Sequence, residues 1–362
     1  MFDRVVRWVP GAAVSVSAWL AGPAAICFYF SIAVLAIRFD AWADMMSSGA
    51  MDDRLRAAAV VAGLMVLYLA TILLQSVPRH QNSFLGSATR RFHSGRLGAI
   101  GSVLFLLLLV TSILGPLIAP YDPAEQVDPV ADQYQPPSVE HPMGTDKFGR
   151  DIFTRVLYGS QTSLAVSVFA VVIASMIGLV IGAFAGFAGG WFDELVMRFV
   201  DGLLAFPRLL LVLTALALFA NSFWVVVVLL ALTGWMGISR LVRAEVLRLK
   251  ELDFVRAAVA TGVGRSHIVW KHLIPNLLGP VFVGATLRIG TIILLESYLS
   301  FLGLGVQPPV PSWGGMVFDG RDVLVTAWWV SAFPGLAIVA AVMACNLVGD
   351  GLRDSLDVRS SS

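Results

Sequence analysis

Four ionisable side chains interrupt segments of this chain that are otherwise apolar: Asp201, Arg208, Arg288 and Glu296. A charge at the centre of a hydrocarbon layer costs about 2.5–3.5 kcal/mol on insertion scales, so each is a candidate functional residue. Arg288 and Glu296 are eight residues apart, which is about 12 Å along one helix, so they cannot pair but share a broad face. We predict that this face lines a pathway between subunits or pairs with a partner chain. For Asp201 and Arg208, the alternative is that both side chains reach the nearby polar interface.

No pattern typical of catalysis or metal binding accompanies these residues. Cys27 and Cys345 both lie inside apolar segments, and the five histidines form no His-Glu-x-x-His pair. The chain has no phosphate-binding Gly-x-x-x-x-Gly-Lys-Ser/Thr loop, no nucleophile elbow and no paired-carboxylate site. We therefore predict no catalytic residue, no metal site and no cofactor bound by this chain. If it moves a solute uphill, another polypeptide must supply the energy.

The elements that must position these residues are predicted to be membrane helices. Charged residues make up 14% of the 362 residues, hydrophobic residues make up 57%, and the mean hydropathy is +0.81, whereas a soluble domain carries about 25% charged residues. A membrane helix needs about 20 mostly apolar residues, and the runs here lack the two-residue alternation of barrel strands. The qualifying windows are 16–37, 57–77, 98–118, 163–187, 199–220, 222–240, 277–299 and 327–349. The sequence thus predicts an all-α polytopic membrane protein with about eight transmembrane helices.

The placement of lysine and arginine predicts the orientation. Sixteen of these cations fall on one side of the predicted spans and seven on the other, so the richer side, with both termini, is predicted to be cytoplasmic.

The first apolar stretch, residues 12–37, is longer than the apolar core of a signal peptide, which has about 7–15 residues. We predict an uncleaved anchor, with a processed signal as the alternative. Residues 1–96 are predicted to be an N-terminal extension with two spans and a basic cytoplasmic segment. Residues 97–359 are predicted to be a domain with six spans.

Small residues recur every four positions in the fourth predicted span, at Ala174, Gly178, Gly182, Gly186 and Gly190. Small residues at this spacing let membrane helices approach closely. The stripe predicts helix packing at Gly178, Gly182 and Gly186. Static packing and a seam that slides during a conformational change are both open.

The longest predicted cytoplasmic connection runs from about residue 240 to 275. Residues 241–261 are rich in helix formers, and Gly262 ends that helix because glycine accepts the positive φ of a C-terminal cap. A second short helix is predicted over 266–273, with Ser266 as its N-cap and Pro275 beyond its end. This hairpin is either a solvated loop or an amphipathic element that docks into a cytoplasmic partner.

The hairpin also resembles a known motif. Arg256-Ala-Ala-Val-Ala-Thr-Gly262 and Leu273-Ile-Pro275-Asn resemble the Glu-Ala-Ala-x-x-x-Gly…Ile-x-Leu-Pro coupling loop of ATP-binding-cassette (ABC) importer permeases. Two positions depart from it, because Arg256 stands where Glu is usual and His272 where Ile is usual. The resemblance implies an ATPase-coupling site made of Arg256, Ala257, Ala258, Gly262, Ile274 and Pro275.

Further segments resemble the C-type permease of dipeptide, oligopeptide and nickel importers, in the family's order over about residues 92–359. They are His141–Leu164, Glu296–Gly305, Pro311–Gly315 and Asn346–Asp354. The two predicted spans before about Pro78 have no counterpart in that pattern.

This resemblance implies a type I importer core in a bacterial inner membrane and leaves the solute open among peptides and nickel. It implies a second homologous permease, two cytoplasmic subunits that bind ATP and Mg²⁺, and an extracytoplasmic solute-binding protein, with membrane lipid but no nucleic acid as a further partner. The rival functions are a membrane enzyme, which would need a polar constellation at one depth, and a non-transporting scaffold whose hairpin recruits a cytoplasmic protein.

Overall fold

The computed structural model describes residues 96–126, 128, 131–219 and 222–356. Within these ranges the chain is helical apart from its connecting loops and one isolated antiparallel bridge between Thr145 and Asp151. The predicted all-α fold is confirmed. The predicted spans at 16–37 and 57–77, and the choice between an anchor and a signal, lie outside the described residues.

The described ranges contain ten α-helices. They are α1 (Arg96–Ile118), α2 (Ile152–Ala188), α3 (Gly190–Leu204), α4 (Arg208–Leu218), α5 (Phe223–Lys250), α6 (Asp253–Ala260), α7 (Arg265–Ile268), α8 (Ile274–Phe301), α9 (Trp313–Gly320) and α10 (Trp329–Leu356). A π-helical turn, Val269–Leu273, joins α7 directly to α8, and a 3-10 turn, Arg321–Val323, follows α9.

Four helical segments in the described part of the chain are long and apolar enough to cross a membrane. They are Ile152–Ala188, Phe223–Lys250, Arg265–Phe301 and Trp329–Ser355. The apolar part of α1, Ile100–Pro116, is shorter. Most of the predicted windows in the second half of the chain therefore correspond to real helices.

The window predicted at 199–220 differs from a continuous span. It is divided into α3 and α4, which pass the same test only as a pair and are bent by 79°. The break lies at Pro207, whose ring has no N–H to donate and disfavours a helical conformation at Phe206. Apolar composition alone does not reveal this bend.

The window predicted at 163–187 begins later in the chain than the helix that contains it. Helix α2 already starts at Ile152, because the side chain of Asp151 caps it. The N–H of Thr154 donates to Oδ2 of Asp151 at 2.7 Å, which satisfies a backbone donor that the first turn leaves free. A polar cap thus extends this helix beyond its apolar run.

The helices pack around the pair formed by α2 and α5, which share the most extensive contact in the described chain. Helix α8 packs against α2 and α10, and α1 packs against α10. Buried apolar side chains form one cluster where these helices cross and a second one at the end that carries α6 and α7. The second cluster gives the hairpin a packed base.

Candidate functional site

The hairpin consists of α6 and α7, which are joined by a tight turn at Gly262. Gly262 has a φ of +74°. Its N–H donates to the carbonyl oxygen of Val259 at 3.1 Å, and the N–H of Val263 donates to that of Ala258 at 3.2 Å. This pair of bonds is a Schellman motif, whose left-handed residue is most often glycine. The turn forms at the predicted residue and for the predicted reason.

The second arm differs from the prediction. The residue before its first turn is Gly264, not Ser266, and the helix does not end before Pro275 but continues through the π-helical turn into α8. Proline lacks an N–H and its ring crowds the preceding turn, whereas a π-helical turn is wider than an α-helical one. Asn276 Nδ2 also donates to the carbonyl oxygen of His272 at 2.6 Å. The second arm of the hairpin is therefore helically continuous with a membrane-length helix.

The inner face of the hairpin is apolar and closely packed. Its buried side chains are Val255, Ile268, Val269 and Leu273, and they join Val246 and Leu249 of α5 in the second apolar cluster. Because these side chains are almost completely buried, a displacement of the hairpin must also displace α5 or α8. Close-packed interiors transmit such shifts rather than absorb them.

The outer face of the hairpin is exposed. Arg256, Ala257 and Gly262 lie on it, and Val259 is 54% exposed. The other residues of the proposed coupling site, Ala258, Ile274 and Pro275, are partly buried at its edge. Arg256 pairs with Glu251. The exposed apolar surface beside this ion pair has the character of a docking surface.

The small-residue stripe lies against α5 along α2, whereas Gly190, its last predicted member, begins α3 and has no atom within 4 Å of a β-carbon position. A β-carbon on Gly178 would be 2.7 Å from Cβ of Ile238, one on Gly182 would be 2.4 Å from the carbonyl oxygen of Ser239, and one on Gly186 would be 3.1 Å from Cβ of Val246. Real β-carbons essentially never come closer than 3.0 Å to such atoms. Gly178 and Gly182 therefore set the spacing between the two helices, and Gly186 is closely packed against α5.

The structure places Arg288 and Glu296 in different surroundings. Glu296 is fully buried, where its Oε1 accepts a hydrogen bond from Ser300 Oγ at 2.7 Å and its Oε2 accepts one from Ser163 Oγ of α2 at 3.4 Å. Arg288 is only partly buried and donates to the carbonyl oxygen of Gly234 in α5 at 3.4 Å. The two side chains are not brought together at one surface of this chain.

Comparison with known proteins gives two family matches. The model for the binding-protein-dependent transport system inner membrane component matches residues 178–362, and that for the N-terminal TM domain of oligopeptide transport permease C matches residues 83–137. The dipeptide transport system permease protein of Bacillus subtilis is 39% identical over 78% of this chain and 88% of its own length. A putative peptide transport system permease protein of Brucella suis is 41% identical over 78% of this chain and 95% of its own length. The oligopeptide transport system permease protein of B. subtilis is 37% identical over 78% of this chain and 92% of its own length.

The chain belongs to the binding-protein-dependent permease family. It is a multi-pass membrane protein and a permease subunit of an ABC importer, as predicted from the hairpin and the C-type motifs.

A polar cluster lies at the end of the helices opposite the hairpin, and sequence reasoning missed it. Asp146 is buried, and its Oδ2 accepts hydrogen bonds from Arg150 at 2.7 Å. Asp319, in α9, pairs with Lys147 at 2.7 Å and lies 3.6 Å from Arg150. The cluster ties the segment before α2 to α9. The closely spaced charged residues from Asp146 to Asp151 could have indicated this cluster from the sequence.

A second missed feature of the permease is the direction of Arg208. Its guanidinium does not extend away from the helices but donates to Thr233 Oγ1 at 3.1 Å and to the carbonyl oxygen of Leu230 at 3.0 Å, both on α5. Asp201, in contrast, is exposed and pairs with Arg240. Arg208 is thus turned toward α5, and the interfacial alternative for Asp201 stays a prediction.

Proposed function

We propose that this permease forms, with a second homologous permease, the path by which dipeptides or oligopeptides cross a bacterial inner membrane. Two cytoplasmic subunits that bind ATP and Mg²⁺ would supply the energy, and an extracytoplasmic binding protein would deliver the peptide. The names of the relatives support a peptide rather than nickel. Both termini and the hairpin are expected on the cytoplasmic side, where the cation-rich segments lie.

The observation that carries this proposal is the two-sided hairpin. Its outer face exposes Ala257, Val259 and Gly262, while its inner face is buried against α5 and is continuous with α8. An ATPase that closes on the outer face would therefore move both membrane helices together. Transport would follow as a shift between inward-open and outward-open populations.

The coupling role is tested by a charge placed on the outer face. Val259→Asp is expected to reduce the amount of ATPase that co-purifies with the permease and to reduce ATP-dependent peptide uptake in proteoliposomes. A charge buried in an apolar contact without a partner is costly. Val139→Asp is the matched control, since Val139 is 99% exposed and lies in the loop before α2. Full ATPase recovery and uptake in Val259→Asp would refute the coupling role.

The orientation is tested separately by cysteine labelling. Ser266 is exposed on the hairpin, and Ser138 is exposed at the opposite end of the helices. A membrane-impermeant maleimide is expected to label Ser138→Cys in intact spheroplasts and Ser266→Cys only after permeabilisation. The reverse pattern would place the hairpin outside the cell and would exclude contact with a cytoplasmic ATPase.

A further inference from the structure

Two arginines from different helices converge on one stretch of α5. Arg208, at the start of α4, donates to Thr233 Oγ1 and to the carbonyl oxygen of Leu230. Arg288, in α8, donates through Nη1 to the carbonyl oxygen of Gly234 at 3.4 Å. The contacts of the two guanidinium groups thus fall within about one turn of α5.

Two glycines make the space for these groups. A β-carbon on Gly234 would lie 3.2 Å from Nη2 of Arg208, and one on Gly237 would lie 2.7 Å from Nη2 of Arg288. Each guanidinium therefore rests against bare backbone of α5, and a β-carbon at either glycine would make the end of the arginine side chain shift. This arrangement holds two cations at neighbouring positions on α5.

Neither arginine has a carboxylate partner within 4 Å in the described part of the chain. The carboxylates on nearby elements are already engaged: Asp193 with Arg243, Asp201 with Arg240, and Glu296 with Ser300. Two like charges held near each other in a medium of low polarity repel strongly. An anion bound between them would offset both that repulsion and the loss of hydration.

The position along the helices argues for a solute rather than a lipid headgroup. Gly234 is the twelfth of the 28 residues of α5, and Arg288 is the fifteenth of the 28 residues of α8. Both lie near the middle of helices of membrane length, whereas lipid phosphates lie about 15 Å or more from the bilayer centre. Both arginine side chains are partly exposed. Charged groups at such depth typically face the bundle interior or a water-filled path.

We propose that Arg208 and Arg288 form an anion site in the translocation path that binds a carboxylate of the passing peptide. The proposal rests on the proposed peptide transport. A guanidinium has five N–H donors, so those not used toward α5 are free to bind a carboxylate oxygen. The carboxylate is either the C-terminus of the peptide or an acidic side chain. In either case the site would favour anionic over neutral peptides during passage.

The test uses the complete importer in proteoliposomes with saturating binding protein. Uptake is compared for two peptide pairs of equal length: one peptide with a free C-terminus against its amide, and a Glu-containing amide against its Gln counterpart. The affinity of the binding protein for each peptide is measured separately, so that its own preference is divided out. The variants are Arg208→Gln and Arg288→Gln, with Arg198→Gln as control because Arg198 is an exposed arginine of α3 that pairs with Glu194.

Wild type and Arg198→Gln are expected to take up the carboxylate member of a pair about tenfold faster, the effect of one charge-assisted hydrogen bond of about 1.4 kcal/mol. Arg208→Gln and Arg288→Gln should lose that preference, so that the ratio of uptake between the two members of a pair falls to about one. The pair that shows the preference identifies which carboxylate is bound. Arg208→Lys and Arg288→Lys, which retain the charge, should keep part of the preference.

An equal loss of uptake for anionic and neutral peptides would overturn the anion site and indicate pairing with an acid of the partner permease. Wild type that transports both members equally would overturn it too. A failure of the proposed function is distinguishable, because wild type would then show no ATP-dependent uptake of any of the peptides.

Discussion

Arg243 binds Asp193 through two parallel hydrogen bonds, from Nε to Oδ1 at 2.7 Å and from Nη2 to Oδ2 at 2.6 Å. The pair joins α5 to the first turn of α3. Asp193 is mostly buried and lies where the N-terminus of a helix favours a negative charge. The two-pronged geometry fixes orientation as well as distance. It therefore holds α3 against the same part of α5 that supports the hairpin.

Removing one member of this pair should destabilise the permease. Arg243→Gln is expected to cost about 1–3 kcal/mol, because it leaves the mostly buried Asp193 without its partner. Asp193→Asn should cost less, because the guanidinium of Arg243 is partly exposed and can be hydrated. The double variant should cost less than the sum of the two, since its members share one interaction. Thermal unfolding of the purified permease measures both effects. The control is Glu194→Gln with Arg198→Gln, an exposed pair whose loss should cost less than about 1 kcal/mol. Strict additivity at Asp193 and Arg243 would contradict the prediction.

The glycines of α2 should tolerate a methyl group only where space exists. In Gly182→Ala the new β-carbon would meet the carbonyl oxygen of Ser239 at 2.4 Å, so α2 and α5 must separate. Overpacking of this kind costs about 1–3 kcal/mol. Gly202→Ala in α3 is the matched control, because no atom lies within 4 Å of its β-carbon. It should be neutral or stabilising by up to about 1 kcal/mol through helix propensity. Equal melting temperatures for the two variants would show that the α2–α5 contact is not tight.

Transport separates the two roles left open for the stripe. If Gly182 serves only packing, Gly182→Ala should lower the melting temperature and keep the rate of uptake per folded molecule. If α2 slides along α5, the same variant should slow uptake more than its stability explains. The ratio of uptake to folded permease in proteoliposomes, measured for Gly182→Ala and Gly202→Ala, distinguishes these outcomes.

Features governed by local sequence were predicted well. The membrane-length helices follow from apolar runs, and the turn at Gly262 follows from the backbone freedom of glycine. The coupling motif and the C-type segments led to the family through resemblance. In each case the deciding information lies within a few dozen adjacent residues.

Features that depend on distant partners were not predictable. Ser163 meets Glu296 although 133 residues separate them, and Trp313 donates to Val156 across 157 residues. The continuity of the hairpin with α8 was missed because Pro275 is an ordinary stop signal, and only the wider π-helical turn before it removes the conflict. The inward direction of Arg208 likewise depends on polar groups of α5.

Substitutions at Gly262 should separate charge from backbone strain. Asn and Asp both tolerate positive φ better than other non-glycine residues, and no atom lies within 4 Å of a β-carbon at this position. Gly262→Asp and Gly262→Asn should therefore both fold and insert. Gly262→Asp is expected to abolish uptake through its charge on the outer face, while Gly262→Asn should retain much of it. Uptake assays with membrane fractions checked for equal permease content measure this difference. Wild-type uptake in Gly262→Asp would contradict a coupling role for this turn.

The hydrogen bond from Ser300 to Glu296 should contribute to stability because the carboxyl group has no access to water. Ser300→Ala removes the 2.7 Å donor and leaves a buried oxygen less satisfied, at a cost of about 1–3 kcal/mol. Ser239→Ala is the matched control, since Ser239 is also buried but its hydroxyl donates only to the carbonyl oxygen of Met236 in its own helix. Its loss should cost little, because that carbonyl keeps its helical partner. In a Glu296→Gln background the accepting oxygen is preserved, so Ser300→Ala should still lower the stability. In a Glu296→Leu background the acceptor is absent, so Ser300→Ala should no longer lower the stability. If Ser300→Ala has the melting temperature of the wild type, the Glu296 carboxyl group must find another donor, and the hydrogen bond from Ser300 then contributes little to stability.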